Sequence, residues 1–373
     1  RQGKKIHHPT LEYQTGSIRN DFDFGQLLLF RNDSFQQVVA QMNTDYRFAA
    51  LYELRLSISR LGKIVHIPET LYTVQPTDLR LSGEKQFDYV DPANREVQLE
   101  MEAVCTAHLQ AIGAWLAPEF QRIDFGQENF AREASVIIPV RNRKRTIAEA
   151  VESALHQQTD FSFNVIVGDN HSTDGTGQIL TELSRRYPNL IHHIPASTEL
   201  GIGGCWTEAI LLPECGKFAI QLDSDDLYKD CHVLQRIVDT FYQENCAMVI
   251  GSYQMVDFKL EEIPPGLIAH REWTPDNGRN NALRINGLGA PRAFYTPVLR
   301  QIKFPNVSYG EDYATALAIS RKYPIARIYD PLYLCRRWEE NSDHDLDIQQ
   351  LNNYNFYKDK IRTLEIQARI SGK

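Results

Sequence analysis

The sequence lacks any apolar run approaching the ~18 residues that a membrane-spanning helix needs, so no membrane span is expected of it. It has no excess of basic residues. Lys and Arg total 40 against 48 Asp and Glu, a formal net charge of −8. That balance offers nothing to draw nucleic acid or an anionic membrane surface. The six cysteines (Cys105, Cys205, Cys215, Cys231, Cys246, Cys335) contain no CxxC pair and no metal-ligand spacing. That pattern gives no sign of a zinc module, and reduced thiols in a cytoplasmic protein are expected. No secretory signal opens the sequence. Its first residue is Arg1 rather than Met, as expected of a chain without its natural beginning. What is present is ordinary for a soluble globular protein: 42% hydrophobic and 24% charged residues. The 373 residues suit two or three domains at ~100–200 residues each.

From Ala134 onward strands and helices alternate. Residues 135–140 (SVIIPV) read as a short buried strand, and Ile147, Ala150, Val151, Ala154 and Leu155 follow helical spacing. Strands are expected again at 163–167, 190–194 and 217–222, with helices between them. Such alternation predicts a parallel, doubly wound α/β sheet. Ligands of such sheets bind beyond the carboxyl ends of the strands. Asp169 and the acids after residue 222 each follow a strand, so they are expected on one edge.

The first part of the chain differs. Residues 91–116 read as one long helix, and the polar stretch 117–132 reads as a linker. The expected organisation is 1–130 as an N-terminal α+β or helical module, 131–342 as the main α/β domain and 343–373 as a C-terminal helix. An internal echo joins the ends of the first two. Asp45-Tyr46 and Asp312-Tyr313 each precede a helical run, a Ser-Arg pair (Ser59-Arg60, Ser320-Arg321), a short Ile-containing strand and a Leu-Tyr (Leu71-Tyr72, Leu332-Tyr333). Thr44 then stands where Glu311 does, and Gln75 where Arg336 does. No copy of the strand-rich half precedes the first of these segments, so this module is not expected to catalyse anything by itself.

Chemistry concentrates at Asp223-Ser224-Asp225-Asp226, after the apolar run 218–222. Carboxylates held this close repel one another or raise one another's pKa values. A hard divalent cation, Mg²⁺ or Mn²⁺, is one natural counter-charge, shared with substrate phosphates. A solvated acidic turn that caps the next helix is the other reading. Asp169, in VGDNHSTDGT, can accept hydrogen bonds from a nucleobase or ribose, or can serve an Asx turn.

SVIIPVRNR, VIVGDNHSTDGT and QLDSDD, in that order, resemble the signature of family 2 glycosyltransferases of the GT-A fold. The resemblance covers about 134–342. Arg141 stands where the family usually has tyrosine, and Asn170 where it usually has a second aspartate. The resemblance implies that Pro139, Val140, Arg141 and Asp169 line the nucleoside pocket. Asp223 and Asp225 are then the DxD pair, touching ribose and metal, with Asp225 the foremost direct ligand. Asp226 supports metal or acceptor. Asp312, in Tyr309-Gly310-Glu311-Asp312-Tyr313, is implied to be the base that takes the acceptor hydroxyl proton; a helix cap is the alternative. Arg336 lies near the diphosphate, and His344 is a candidate third metal ligand. Glu311, Gly289 and Trp338 shape the sugar and acceptor site. Trp273 is a second possible stacking ring, with core burial as its alternative.

The implied activity is metal-dependent, inverting transfer of a sugar from a nucleoside-diphosphate donor, a UDP-sugar ahead of a GDP-sugar, to an acceptor hydroxyl. Polysaccharide biosynthesis is the implied setting, with a glycan, lipid-linked or small-molecule acceptor. Two rivals are a nucleotidyltransferase and a non-catalytic nucleotide-sugar scaffold. PVRNRKRT lacks the glycines that the first of these needs.

Overall fold

The computed structural model describes residues 7–74, 94–126, 128–338, 341 and 346–372. The chain divides into two compact units. One comprises Arg1–Ala117, Thr274–Asn286 and Asp343–Lys373; the other comprises Pro118–Trp273 and Gly287–Ser342. The elements in chain order are α1 (Asn32–Val39), α2 (Ala50–Leu61), α3 (Arg95–Ala111), β1 (Ala134–Val140), α4 (Ile147–Leu155), β2 (Phe163–Asp169), α5 (Thr176–Arg186), β3 (Leu190–His193) and α6 (Ile202–Leu211). Then follow β4 (Phe218–Gln221), β5 (Leu227–Tyr228), α7 (Val233–Glu244), β6 (Met248–Val256), β7 (Glu262–Ile268), α8 (Gly278–Asn281), β8 (Arg292–Tyr295), α9 (Thr296–Ile302), α10 (Glu311–Ser320), β9 (Ile325–Arg336) and α11 (Ile348–Ile370). No helix among the described residues is long and apolar enough to cross a membrane.

The second unit has the expected α/β class. Its strands form one sheet in the order β3-β2-β1-β4-β8-β6-β9-β5, with β7 added on β6. β3, β2, β1 and β4 run parallel. β8 enters antiparallel between β4 and β6, and β9 runs parallel to β6. β1 is buried on both faces, with Val136, Ile137 and Ile138 at most 1% exposed. That is why it reads as a continuous apolar run rather than an alternation. Right-handed crossovers put α4 and α5 on one face and α6, which returns from β3 to β4, on the other. In keeping with this, α4 packs on α5, and α6 on α9 and α10.

Register then places the chemistry. Val140 pairs with Asp169 and Ile137 with Gln221. The carboxyl ends of β1, β2 and β4 therefore share an edge, and Asp223 begins just past it.

In the first unit, Ile18, Leu56, Cys105 and Leu109 form an apolar centre, each at most 1% exposed. α11 starts with a capping box in which Asp347 accepts from the Gln350 N–H at 2.7 Å. Asp359, fully buried, is bonded by Ser17, Arg19 and Arg362 at 3.0, 3.2 and 2.8 Å. The long helix expected at 91–116 is α3, four residues of that range starting later and five ending sooner. The short Ile-containing strand expected before Leu71-Tyr72 is not formed: 63–74 is neither helix nor strand, and no described strand pairs with it.

The packing of α6 against α10 rests on a glycine. A Cβ on Gly203 would lie 2.0 Å from the Pro305 carbonyl oxygen and 2.9 Å from the Glu311 Cβ. Gly203→Ala should therefore destabilise the second unit by ~1–3 kcal/mol. Thermal unfolding is expected to show a drop of several degrees; an unchanged melting temperature would mean the two helices separate freely.

Candidate active site

The turns after β1 and β2 are stitched together. Asn142 adopts a left-handed φ of 53°, uncommon outside glycine. Its N–H donates to Ser172 Oγ at 2.9 Å, and its Oδ1 accepts from the Thr173 N–H at 2.8 Å. The Lys144 N–H donates to Asp174 at 3.0 Å, and the Arg143 N–H to Thr176 Oγ1 at 2.9 Å. Pro139 is half-buried and Arg141 exposed on this rim. Val140 is buried, and its carbonyl accepts from the Asn170 N–H at 2.8 Å. Asp169 is 2% exposed. Its Oδ1 accepts from the Ser172 N–H at 2.9 Å, and its Oδ2 lies 3.2 Å from His192 Nε2. Burial pushes the Asp169 carboxyl pKa up, but the bonds from His192 and Ser172 outweigh it and hold the group below its ordinary value.

The three acids after β4 have different partners. Asp223 Oδ1 accepts from Gln221 Nε2 at 2.9 Å, while its own N–H donates to the Tyr333 hydroxyl at 2.9 Å. Asp225 Oδ2 accepts from Trp338 Nε1 at 3.0 Å and Asn341 Nδ2 at 3.4 Å, and lies 3.9 Å from Arg143 Nε. Asp226 is buried, and one of its oxygens accepts from the Arg336 N–H at 2.8 Å. Burial raises the pKa of Asp223, with Asp225 adding to the rise and Arg292 opposing it. Burial and the charges of Asp225 and Asp223 raise Asp226 far more. The cluster is thus short of positive charge and would take up a proton or a cation.

Its donors are all carboxylate oxygens, the chemistry a hard divalent ion prefers. Among the described residues, however, no three His, Cys, Asp or Glu side chains converge as a metal cage. The donor set fits an ion that draws the rest of its shell from phosphate and water, as Mg²⁺ usually does. Asp223 and Asp225 are the residues that would hold it. His344 lies outside the described residues.

Asp312 lies at the second position of α10, whose N-cap is Gly310 at φ 78°. Glu311 and Asp312 are the acidic residues of the α10 first turn. The Asp312 Oδ2 accepts from Arg292 Nη1. The Arg292 Nε donates to Gln221 Oε1 at 3.0 Å. Asp312, Arg292, Gln221 and Asp223 therefore form one bonded line from α10 to the end of β4. Burial alone would lower the Arg292 pKa, but Asp312, Asp223 and Glu311 outweigh it and raise it. Glu311 has a buried Oε2 with no hydrogen-bond partner. Burial, then the charge of Asp312, pushes its pKa up to about 7.

Gly289 holds φ 99°, and a Cβ there would meet His270 Cδ2 at 2.8 Å. It opens the segment that delivers Arg292. Arg336 is 1% exposed; it donates to the Asp225 carbonyl and to Glu149, and lies 5.0 Å over the Phe258 ring. Its Nη2 is buried with no hydrogen-bond partner. Trp338 is 7% exposed, with Arg143 and Arg145 over its ring at 5.7 and 5.4 Å. Its face is covered, and its contribution to the acids is an N–H. Trp273 is also 7% exposed. Sequence reasoning missed Gln221, Arg292, Glu149 and Asn341. Gln221 had a signal: it is the one polar residue in the buried run FAIQL. Glu149 and Asn341 had none.

Residues 135–302 match the family described as Glycosyl transferase family 2. This segment is a family 2 glycosyl transferase domain. The match takes in Asp169, the Asp223 cluster and Arg292, and stops short of Glu311, Asp312, Arg336 and Trp338. The chain is 32% identical over 123 residues to an uncharacterised glycosyltransferase of Nostoc sp., covering 33% of this chain and 37% of that protein. It is 24% identical over 230 residues to a poly(ribitol-phosphate) beta-glucosyltransferase of Bacillus spizizenii, covering 60% and 35%. It is 25% identical over 257 residues to a chondroitin synthase of Escherichia coli, covering 62% and 33%. It thus spans about a third of the length of these relatives. Among solved structures, S. aureus TarS 1–349 with UDP-GlcNAc is 21% identical, covers 64% of this chain and 72% of that one, and superposes with a TM-score of 0.48. A mannosyltransferase of Pyrobaculum calidifontis with GDP-Man and Mn²⁺ is 16% identical, covers 75% and 84%, and has a TM-score of 0.44.

The raised Glu311 pKa makes the domain's stability depend on pH. The unfolded carboxyl titrates near its ordinary 4.5, the folded one near 7. Between those values the folded state binds more protons, so stability falls as pH rises through the window. Glu311→Gln removes the ionisable group. It is expected to be more stable than the parent at pH 8 by ~1–3 kcal/mol, with much of that gain gone at pH 5. Denaturant unfolding at both pH values checks this; a gain of equal size at both would contradict it.

Proposed function

We propose that this chain transfers a sugar from a nucleoside-diphosphate donor to an acceptor hydroxyl, with inversion and with a divalent ion. The observation that carries the proposal is the bonded line Asp312–Arg292–Gln221–Asp223. It ties a carboxylate suited to deprotonating an acceptor to one suited to holding the donor. The family 2 domain supports transfer chemistry, and the raised Asp223 and Asp226 values support a cation at the cluster.

In this reading the clamped rim of Pro139, Arg141 and Asp169 receives the nucleoside. Asp169 stays ionised and ready to accept a hydroxyl or base N–H. Asp223 and Asp225 face the ribose and diphosphate, and Arg336 reinforces the turn that carries them. The ion they would share with the phosphates supplies neutralisation of the charge that develops on the leaving group. Asp312 takes the proton of the acceptor hydroxyl as that oxygen forms the new glycosidic bond. Arg292 keeps the Asp312 carboxylate oriented. A single displacement of this kind inverts the anomeric centre.

UDP-sugars are favoured over GDP-sugars. The names of the Bacillus and Escherichia coli relatives refer to polymers, which favours a glycan acceptor and polysaccharide biosynthesis over a lipid-linked or small-molecule acceptor. We place the enzyme in the cytoplasm, in keeping with six cysteines that form no disulfide.

Asp312→Asn tests the proposal. A positioned base contributes ~10²–10⁴-fold, so turnover should fall by that factor while donor affinity stays within about twofold. Retained turnover would remove Asp312 from the mechanism. No turnover in the parent with any nucleotide sugar, despite donor binding, would favour the non-catalytic scaffold.

A further inference from the structure

Two segments of the first unit repeat two segments of the second. Residues 50–72 align with 311–333 without a gap, and nine of the 23 positions are identical. Tyr52 and Tyr313, Ser59-Arg60 and Ser320-Arg321, and Leu71-Tyr72 and Leu332-Tyr333 are among them. In that register the helices start together, α2 at Ala50 and α10 at Glu311. Ala50 and Leu51 thus stand at the positions of Glu311 and Asp312. Asp45 falls ahead of the helix, so the pairing of Asp45 with Asp312 expected from the sequence does not follow the helix register. A second stretch, 25–39, aligns with 289–303. Its helices also start together, α1 at Asn32 and α9 at Thr296. Gly25 and Gly289, at its head, both have positive φ, 73° and 99°.

The copies differ in what surrounds them. In the second unit the two segments end up as β8 and β9, and both pair with the same strand, β6, which lies between them. In the first unit no β-strand occurs among the described residues, and 28–30 and 63–74 are neither helix nor strand and pair with no described strand. Side chains that the sheet buries in one copy are exposed in the other. Leu29 is 83% exposed and its counterpart Ala293 0%; Leu71 is 57% and Leu332 0%; Tyr72 is 44% and Tyr333 1%. Val65 and Ile67 add 71% and 52% exposure on the segment that ends in Leu71-Tyr72. Apolar edges of this kind are template surfaces for another strand.

We propose that 26–31 and 64–72 are docking edges for the strand-rich half of a second domain of this kind, carried upstream on the same polypeptide. Its equivalent of β6 inserts between them and completes a second sheet. The order of the repeat fixes the source: in the second unit the half that contains β6 precedes α9, α10 and β9 in the chain. Another copy of this chain cannot supply the strand, because its own β6 is paired on both sides. The completed domain has Ala50 and Leu51 where the second unit has Glu311 and Asp312, so it binds rather than catalyses.

Hydrogen exchange tests this on two proteins, the 373-residue chain and the same polypeptide extended upstream by about the length of 134–268. The amides of 27–31, 64–67 and 69–72 should exchange freely in the first and at least ~100-fold more slowly in the second, as ladder amides do. Leu29→Lys with Ile67→Lys, both on exposed side chains, should leave the melting temperature of the 373-residue chain unchanged and abolish the slowing in the extended one. The proposal is overturned by slow exchange already present in the shorter chain, whether from self-association or from its own fold. It is equally overturned by no slowing in the extended protein, or by an upstream sequence without strand-rich character.

Discussion

The organising constraint is the repulsion among Asp223, Asp225 and Asp226, placed within four residues at the end of a buried strand. Carboxylates this close tolerate one another only with donors and positive charge around them. The structure supplies these from four directions. Gln221 comes from β4 itself, Trp338 and Asn341 from beyond β9, Arg143 from the turn after β1, and Arg336 from the end of β9. Even so, Asp223 and Asp226 keep raised pKa values. Compensation is incomplete, and that deficit is what the proposed divalent ion would fill.

The same deficit links the two halves of the site. Arg292 feels both Asp223 and Asp312, and it reaches the first through Gln221 and the second directly. A charge brought to one carboxylate is therefore felt at the other over a short bonded path. Glu311, beside Asp312, adds a carboxyl that sits near 7 and so changes charge in the neutral range. The placement of Arg292 depends in turn on backbone. Gly289, with its positive φ and its contact with His270, sets the direction in which β8 begins.

Much of this was legible in the sequence because it depends on local pattern. Buried parallel strands give uninterrupted apolar runs, and SVIIPV and FNVIVGD show them. Register then follows, and with it the shared edge of Asp169 and Asp223. Partners brought in from far along the chain were not legible. Glu149 meets Arg336 only because β9 crosses back beside the acid turn. Arg292 reaches Gln221 and Asp312 only because β8 lies between β4 and β6. Trp338 was legible as an aromatic near the site but not as an N–H donor to Asp225. Two arginines lie over its ring. The membership of Thr274–Asn286 in the first unit has no sequence mark at all, since chain continuity argues the other way.

The central claim is that the acid edge holds a nucleoside diphosphate together with a divalent ion. Thermal-shift titration with UDP and GDP, each with and without Mn²⁺, tests it most directly. At ~100 times its dissociation constant a ligand should add ~2.7 kcal/mol of stability. The account predicts a shift with one nucleotide that requires Mn²⁺ and is lost in Asp225→Ala. A shift that ignores Mn²⁺ and survives Asp225→Ala, or no shift with either nucleotide, would contradict it.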